Sequence, residues 1–396
     1  MINESFSSFY LQAEHKELYC HDPSQAFYYF KNFRINLLTG KKEKIGWTHI
    51  LKTLRRYSVS SYLEKPIVFH FFFEFGYLCQ GLFDLVDEQT PLALMFEYEE
   101  VKKRKLFTES HNSFHFENVS FSSFEEYEEK FKQVYDHLLA GNCYQVNLTS
   151  PFYFKYSEDL SAQEIMRLLW KNQMQLGAYA AATYCDSLGK LFLSNSPECL
   201  FQLREKKNQW EVLSFPIKGT LPVSDESQRD EIWQELIASK KNQAELFMIS
   251  DLISHDLTKL TRNPTYAMFD KYPLHVPGLI HQFSALKSKI DETTYMDEII
   301  LHLFPGGSIT GAPKKRVLTY IKNIEKYKRG FYCGSTLLMY KKLKTSSINI
   351  RSAEVELDIR ELKYGSGGGI TLESSAQEEF EEMQKKLKSF MSLLKK

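Results

Sequence analysis

Residues 178–215 read AYAAATYCDSLGKLFLSNSPECLFQLREKKNQWEVLSF, and this stretch decides the expected fold. Its apolar and β-branched or aromatic residues form short runs separated by turn-forming residues, which predicts a series of short strands. Since turns rather than helices lie between the runs, we expect antiparallel pairing. The predicted strands lie at 178–184, 190–194, 200–203 and 210–215, and another is expected at 144–154.

Helical patterns lie on both sides of these strands. Ser123 opens a pattern with one apolar face that runs to 139, and Gly141 is its expected stop. Residues 225–260 contain neither glycine nor proline and predict one long helix. The remaining predictions are helices at 295–303, 313–327 and 376–396 and strands at 330–340, 348–358 and 361–364. Strands and helices that do not alternate strictly indicate an α+β fold of antiparallel sheets.

The first 120 residues are rich in aromatic side chains and show little regular pattern. The exception is 67–77, which predicts a buried strand whose phenylalanines, Phe71, Phe72, Phe73 and Phe75, belong to the core. Residues 108–123 are polar and aperiodic, so we expect a connection there.

Composition excludes several classes of function. Fifty Lys and Arg residues balance fifty Asp and Glu residues, so the net charge gives no indication of nucleic acid or a membrane surface as partner. The six cysteines lack the spacing of a zinc site and are expected to be free thiols. Because no targeting segment and no long apolar stretch occur, we expect a soluble, cytoplasmic protein.

The segment that follows the quoted stretch, FPIKGT at 215–220, places Lys218 among apolar residues. An ammonium there must either reach solvent along its aliphatic stem or be held for chemistry, because burial disfavours the charged form of an amine. The residues alone leave both interpretations open. A neutral lysine in such a place would be a nucleophile.

Acidic residues occur on two predicted helices. Glu245 shares a face with Met248, Ile249 and Leu252, so its carboxylate is either paired with a cation or functional. Glu379 and Glu382 share a face of the C-terminal helix, where solvated carboxylates that favour the helix dipole are the alternative. If the two helices meet, these carboxylates would suit Mg²⁺ rather than zinc.

Two glycine-rich segments are predicted as turns. Residues 304–314 lead from a loop into a helix and could present backbone N–H groups to an anion, although the spacing does not match a nucleotide-binding P-loop. Residues 365–369 do not fit a dinucleotide-binding pattern; they form either a backbone that approaches a small carboxylate or a flexible hairpin turn.

Taken in order, these segments resemble the chorismate-utilising enzymes, and within them the aminodeoxychorismate synthase component I group. The resemblance covers about 123–388. It rests on GNCYQVNL at 141–148, SNSPE at 194–198, PIKGT at 216–220, Ala244-Glu245, the glycine-rich segment 304–314, RGFYCG at 329–334, Ile350-Arg351-Ser352 and Gly367 to Ile370 with the acidic tail. It implies two large antiparallel sheets packed as a sandwich with helices outside, a divergent part at 1–120 that adds strands, and a catalytic domain at 121–396.

The resemblance also implies roles for individual residues. Lys218 would attack the substrate ring, Glu198 would act as the acid, and His281 would lie near the departing or arriving group. Glu245, Glu379 and Glu382 would hold Mg²⁺. The residues implied to bind the substrate are Thr220, Thr310, Tyr332, Arg351, Gly367 and Gly368.

Lys218 selects the implied reaction, because anthranilate synthases have Ala at this place. We therefore expect amination of chorismate to 4-amino-4-deoxychorismate, in the 4-aminobenzoate and folate branch, with ammonia supplied by a separate glutamine amidotransferase subunit. Anthranilate synthesis, isochorismate or salicylate synthesis, and a subunit that binds chorismate without turnover remain alternatives. Cys199, Val223 and Ser254 stand where the family has arginines, which puts the rate in doubt.

Overall fold

The computed structural model describes residues 3–106, 115–171, 175–223, 225–276 and 279–394. The strands are β1 Phe6–Leu11, β2 Lys16–Tyr29, β3 Phe33–Asn36, β4 Lys42–Lys44, β5 Leu63–Phe71, β6 Ala93–Lys105, β7 Phe116–Phe121, β8 Gln145–Tyr156, β9 Tyr179–Cys185, β10 Lys190–Ser196, β11 Cys199–Lys206, β12 Gln209–Ser214, β13 Ile217–Pro222, β14 Thr265–Val276, β15 Leu279–Lys289, β16 Gly311–Ala312, β17 Ser335–Lys341, β18 Leu343–Ile348, β19 Ser352–Glu356 and β20 Glu361–Ile370. The α-helices are α1 Thr48–Leu54, α2 Phe75–Cys79, α3 Phe124–Leu139, α4 Ala162–Lys171, α5 Arg229–Ala238, α6 Lys240–Thr261, α7 Met296–Leu303, α8 Lys314–Glu325 and α9 Ala376–Leu394. None of these helices combines the length and the apolar composition that crossing a membrane requires.

The strands form one long antiparallel strip. Hydrogen-bonded neighbours follow the order β8, β20, β19, β10, β9, β1, β2, β6, β5, β17, β18, β11, β12, β15 and β14. The strip curls until its two halves face each other, so the ring of His70 on β5 lies 5.9 Å from that of Phe192 on β10. Helices α3, α8 and α9 cover the outer side of β8 and β20. The expected α+β fold of antiparallel strands is confirmed.

The N-terminal part is more regular than the sequence predicted. β1 pairs with β2 on one side and with β9 on the other, so strands from before and after residue 120 share the sheet. The strand predicted at 67–77 ends at Phe71 and a short helix follows, because the Phe73 amide leaves the sheet to donate to the Gly330 carbonyl at 2.8 Å. The four phenylalanines are buried as predicted. Of the expected connection at 108–123, residues 108–114 lie outside the described residues, and part of the rest is strand β7. The domain boundary at 120 stays a prediction.

Two further predictions are corrected. The single helix at 225–260 is two helices, because Ser239 caps α6 by accepting a hydrogen bond from the Asn242 amide. The prediction of a turn at 365–369 is wrong, since these residues lie inside β20. A side chain at Gly365 would collide with the Tyr332 ring, and one at Gly367 would collide with the Leu148 carbonyl. Close approach of neighbours, rather than a turn, therefore requires these glycines.

A buried ion pair ties several elements together beneath β8. The Arg329 guanidinium donates to both carboxylate oxygens of Glu325, at 2.9 and 2.7 Å, and to the carbonyls of Ile309 and Asn147, each at 2.7 Å. It also lies over the Phe73 ring, 4.3 Å from its centroid. Both charged side chains are 1% exposed. The pair joins α8, β8, the glycine-rich loop and the N-terminal part.

Replacing Arg329 by Met should lower the free energy of unfolding by about 3–5 kcal/mol, because the Glu325 carboxylate would remain buried without its cation. Urea unfolding followed by circular dichroism measures the change. Lys342→Met is the control, since its pair with Glu205 is exposed and should contribute at most about 1 kcal/mol. Equal stability of the two variants would contradict this structural role.

Candidate active site

Lys218 lies on an irregularity of β13. The register between β13 and β15 shifts between Ile217 and Thr220, and Gly219 within the shift has a φ of +83°. Such a bulge redirects the side chain that it carries. The Lys218 Nζ lies 3.5 Å from Glu245 Oε2, and the two side chains are 17% and 14% exposed. The amine is therefore largely withdrawn from water, and Glu245 is paired with a cation.

Glu198 lies between β10 and β11 and is 4% exposed. Its carbonyl accepts a hydrogen bond from the Ile348 amide at 3.0 Å, which fixes it at the end of β18. Burial raises the pKa of the Glu198 carboxyl to about 7, although the Ser308 hydroxyl and the charge of Lys218 act in the opposite direction. Within the described part of the chain its Oε1 has no hydrogen-bond partner. The group can therefore carry a proton near neutral pH, as a general acid must.

The strip of strands opens beside Arg351. β19 pairs with β20 only along 361–364, whereas β20 continues to Ile370 while paired with β8 alone. Alternate N–H groups of that last part of β20 therefore face away from β8. Gly367 and Gly368 lie here, opposite Thr149 and Leu148.

Arg351 stands just before β19, on the rim of this opening. Burial lowers the pKa of its guanidinium, an effect that the nearby Tyr364 opposes. No described carboxylate forms an ion pair with it. Tyr332 is buried against Gly365 of β20. A guanidinium in this state is suited to an incoming carboxylate.

The other residues predicted to lie near the substrate differ in their surroundings. His281 on β15 lies opposite Thr220 and is 1% exposed, and burial together with the charge of Arg351 lowers its pKa to about 3. The imidazole is therefore neutral at physiological pH. The Thr220 side chain lies outside the described residues. Thr310 is fully buried and donates its hydroxyl proton to the Gly306 carbonyl at 2.9 Å, so its role toward substrate stays a prediction.

The three predicted metal ligands are occupied with protein partners. Glu245 faces Lys218, the buried Glu379 accepts from the Ser374 hydroxyl at 2.8 Å, and the half-exposed Glu382 pairs with Lys386 at 2.9 Å. Across the described residues no three His, Cys, Asp or Glu side chains gather as a metal site. The donors suit Mg²⁺ in kind, and their role as its ligands stays a prediction.

Gln145 is a site residue that the sequence reasoning missed. Its amide is 1% exposed, and neither polar atom has a hydrogen-bond partner among the described residues. A Cβ added to Gly369 would collide with this amide and stand 3.3 Å from Lys218 Nζ, so the amide and the amine border the same glycine. The signal was the alternation in 145–149, which turns Gln145, Asn147 and Thr149 to one face and apolar residues to the other.

The positions that depart from the family pattern are buried or partly buried. Cys199 is 1% exposed, and burial raises the pKa of its thiol to about 12. Val223 packs with Leu236 and Ile280, and the Ser254 carbonyl accepts from the Thr265 hydroxyl. Any effect of these residues on rate stays a prediction.

A cavity of about 690 Å³ lies elsewhere, between β1, β9 and the hairpin of β17 and β18. None of the candidate residues lines it. The candidate residues instead lie on or beside β13, β15, β19 and β20.

Comparison with known proteins shows the family and the fold of the chain. A family model described as chorismate binding enzyme matches residues 20–392. Aminodeoxychorismate synthase component 1 of Escherichia coli strain K12 is 30% identical over 329 residues, which cover 80% of this chain and 70% of that protein. Anthranilate synthase component I of Streptococcus pneumoniae superposes with a TM-score of 0.77 at 16% identity, over 95% of this chain and 92% of that one. The menaquinone-specific isochorismate synthase of Escherichia coli superposes with a TM-score of 0.72 at 14% identity, over 100% of this chain and 90% of that one. The two structures show a shared fold.

The raised pKa of Glu198 predicts a pH-dependent difference in stability between the wild type and Glu198→Gln. The carboxyl ionises near 4.5 when unfolded but near 7 when folded, so its contribution to stability is present below pH 4.5 and is lost as the pH rises to about 7. The glutamine variant lacks this loss. It should match the wild type near pH 4.5 and exceed it by about 3 kcal/mol above pH 7. Urea unfolding at pH 4.5, 6 and 8 measures the gap, and a gap independent of pH would contradict the assignment.

Proposed function

Because the chain belongs to the family of chorismate-binding enzymes, we propose that it aminates chorismate at C4, the reaction of an aminodeoxychorismate synthase component I. The observation that carries the proposal is the largely buried Lys218 amine, redirected by a bulge toward Glu245 and close enough to Glu198 to influence its ionisation. The 30% identity to a protein of that name supports the same reaction.

The reaction proceeds in two substitutions. The Lys218 amine must first give up the proton that it holds while paired with Glu245. It then adds to ring C2, the ring double bonds shift, and the C4–O bond breaks while Glu198 donates the proton with which the hydroxyl leaves as water. Ammonia then adds to C4, the double bonds shift back, and the C2–N bond to Lys218 breaks. The Lys218 nitrogen is positively charged while it is bonded to C2 and leaves as the neutral amine. The C4 ammonium formed from ammonia returns one proton to Glu198, so the cycle releases no net proton.

Substrate binding depends on charge. Arg351 donates bidentate hydrogen bonds to the enolpyruvyl carboxylate, with Tyr332 and the β20 N–H groups that face away from β8 beside it. His281 is neutral, so it can donate or accept a hydrogen bond near the exchanged group without adding charge.

The ammonia comes from a separate glutamine amidotransferase subunit in this proposal. The word component in the name of the similar protein supports a partner. The sequence itself contains no Gly-x-Cys-x-Gly nucleophile segment, so it offers no glutaminase of its own.

Lys218→Ala should lower the rate of aminodeoxychorismate formation by more than about 10³-fold, because the first bond can no longer form. The assay supplies chorismate, Mg²⁺ and ammonium and converts the product with a lyase to 4-aminobenzoate. Lys289→Ala is the matched control, since Lys289 is an exposed lysine on β15.

Unimpaired turnover by Lys218→Ala would refute the covalent step. Fluorescent anthranilate or salicylate formed by the wild type would favour the alternative reactions on this scaffold. Glutamine should replace ammonium only when a glutaminase subunit is added.

We also propose Mg²⁺ as cofactor, held by Glu245 and Glu379 with Glu382 once it leaves Lys386. When bound, the ion would neutralise the ring carboxylate and withdraw charge from the ring. Chelation should abolish turnover. Glu245→Gln and Glu379→Gln should each raise the half-saturating Mg²⁺ concentration by at least about tenfold, since loss of even outer-shell partners costs this much. Glu378→Gln, an exposed neighbour bonded to Ser375, should leave it unchanged. Full activity in excess chelator would refute the proposal.

A further inference from the structure

The turn that carries Arg351 is held from several sides. Arg351 has a φ of 50°, a left-handed conformation that residues with a side chain seldom adopt. Its carbonyl accepts from the Asn195 amide at 2.9 Å. Two residues earlier, Asn349 exchanges backbone hydrogen bonds with Cys333 and Gly334, at 2.8 and 2.9 Å. The conformation therefore persists because its surroundings determine it.

The Asn349 side chain is the buried end of a row of polar groups. Its Oδ1 accepts hydrogen bonds from the hydroxyls of Thr336 and Ser347, each at 3.0 Å. These two residues are direct cross-strand partners on β17 and β18. His70 on β5 is in turn the direct partner of Thr336, and its Nδ1 lies 2.9 Å from the Thr336 hydroxyl. All four side chains are at most 4% exposed.

The Asn349 amide turns Oδ1 toward the two hydroxyls and leaves Nδ2 without a partner among the described residues, and this orientation sets the direction of the hydrogen bonds in the row. The Thr336 hydroxyl has one proton, which it donates to the carbonyl oxygen of Asn349, so it must accept from His70 Nδ1–H. Burial lowers the pKa of His70 to about 3, so the ring is neutral and donates from Nδ1 alone. The row runs from His70 through Thr336 to Asn349, and Ser347 supplies the second donor.

We propose that Asn349 is a positioning residue: held by Thr336 and Ser347, it fixes the turn that aims Arg351 at the substrate carboxylate. This inference rests on the proposed function, because it takes Arg351 as the carboxylate-binding group. In this proposal the N-terminal part supports the site, because His70 donates to Thr336. A buried side-chain oxygen that accepts two hydroxyl protons has one favourable orientation, whereas an asparagine without those donors can rotate.

Thr336→Val combined with Ser347→Ala removes both donors and little volume. We expect the KM for chorismate to rise about tenfold, from loss of two buried hydrogen bonds, with kcat nearly unchanged, because carboxylate binding contributes equally to ground and transition states. Thr336→Ser keeps the hydroxyl and should retain the wild-type KM. Thr345→Val is the matched control, since Thr345 lies two residues from Ser347 on β18 and its hydroxyl has no hydrogen-bond partner among the described residues.

Chorismate binding by calorimetry and thermal unfolding accompany the kinetics. A fall in kcat at constant KM contradicts the positioning role, because partial unfolding only lowers the amount of active enzyme. The single variants repeat the test, and each should give a smaller rise in KM than the double variant. An unchanged KM and dissociation constant in a folded double variant would overturn the inference. Failure of the wild type itself to bind chorismate would refute the proposed function instead.

Discussion

The buried Arg329 guanidinium is the interaction on which the rest of the structure depends. A cation removed from water must have its N–H groups satisfied, and here the acceptors come from different parts of the chain. Glu325 also accepts from the Thr149 amide and hydroxyl, each at 2.9 Å, so the pair fixes both the loop at Ile309 and the middle of β8. β8 is the strand to which the glycine-rich end of β20 is bonded. The position of the site's backbone therefore follows from this pair.

The glycines of β20 show how close packing shapes the candidate site. With no side chains at Gly365 and Gly367, Tyr332 and β8 approach the strand directly. Because β19 leaves β20 after the 361–364 segment, backbone donors become available where Arg351 begins β19. The same small residues thus serve close packing and leave the N–H groups accessible, which a turn of flexible glycines would not do.

The sequence predicted the strands and helices around the site because each had a local signal. Ser123 caps α3 as expected, with its hydroxyl accepting from the Glu126 amide, and the short strands of 178–215 fall at the predicted places. The glycines at 365–369 were misread as a turn, since local propensity carries no information about β8 on one side and Tyr332 on the other. Apart from the strand predicted at 67–77, the strands of 1–106 had no local signal, because they depend on pairing with strands distant in sequence.

The candidate residues could be named from motifs, but their electrostatic state could not. Lys218 pairs with Glu245, whereas Arg351 has no described carboxylate beside it and Glu198 is neutral below about pH 7. His281 is neutral as well, so neither Glu198 nor His281 supplies a negative charge to Arg351. Keeping a guanidinium partly desolvated and without a counter-ion costs free energy, and a substrate that brings its own carboxylates recovers that cost on binding. A ligand that carries a carboxylate is therefore favoured at Arg351 over a neutral ring of the same shape.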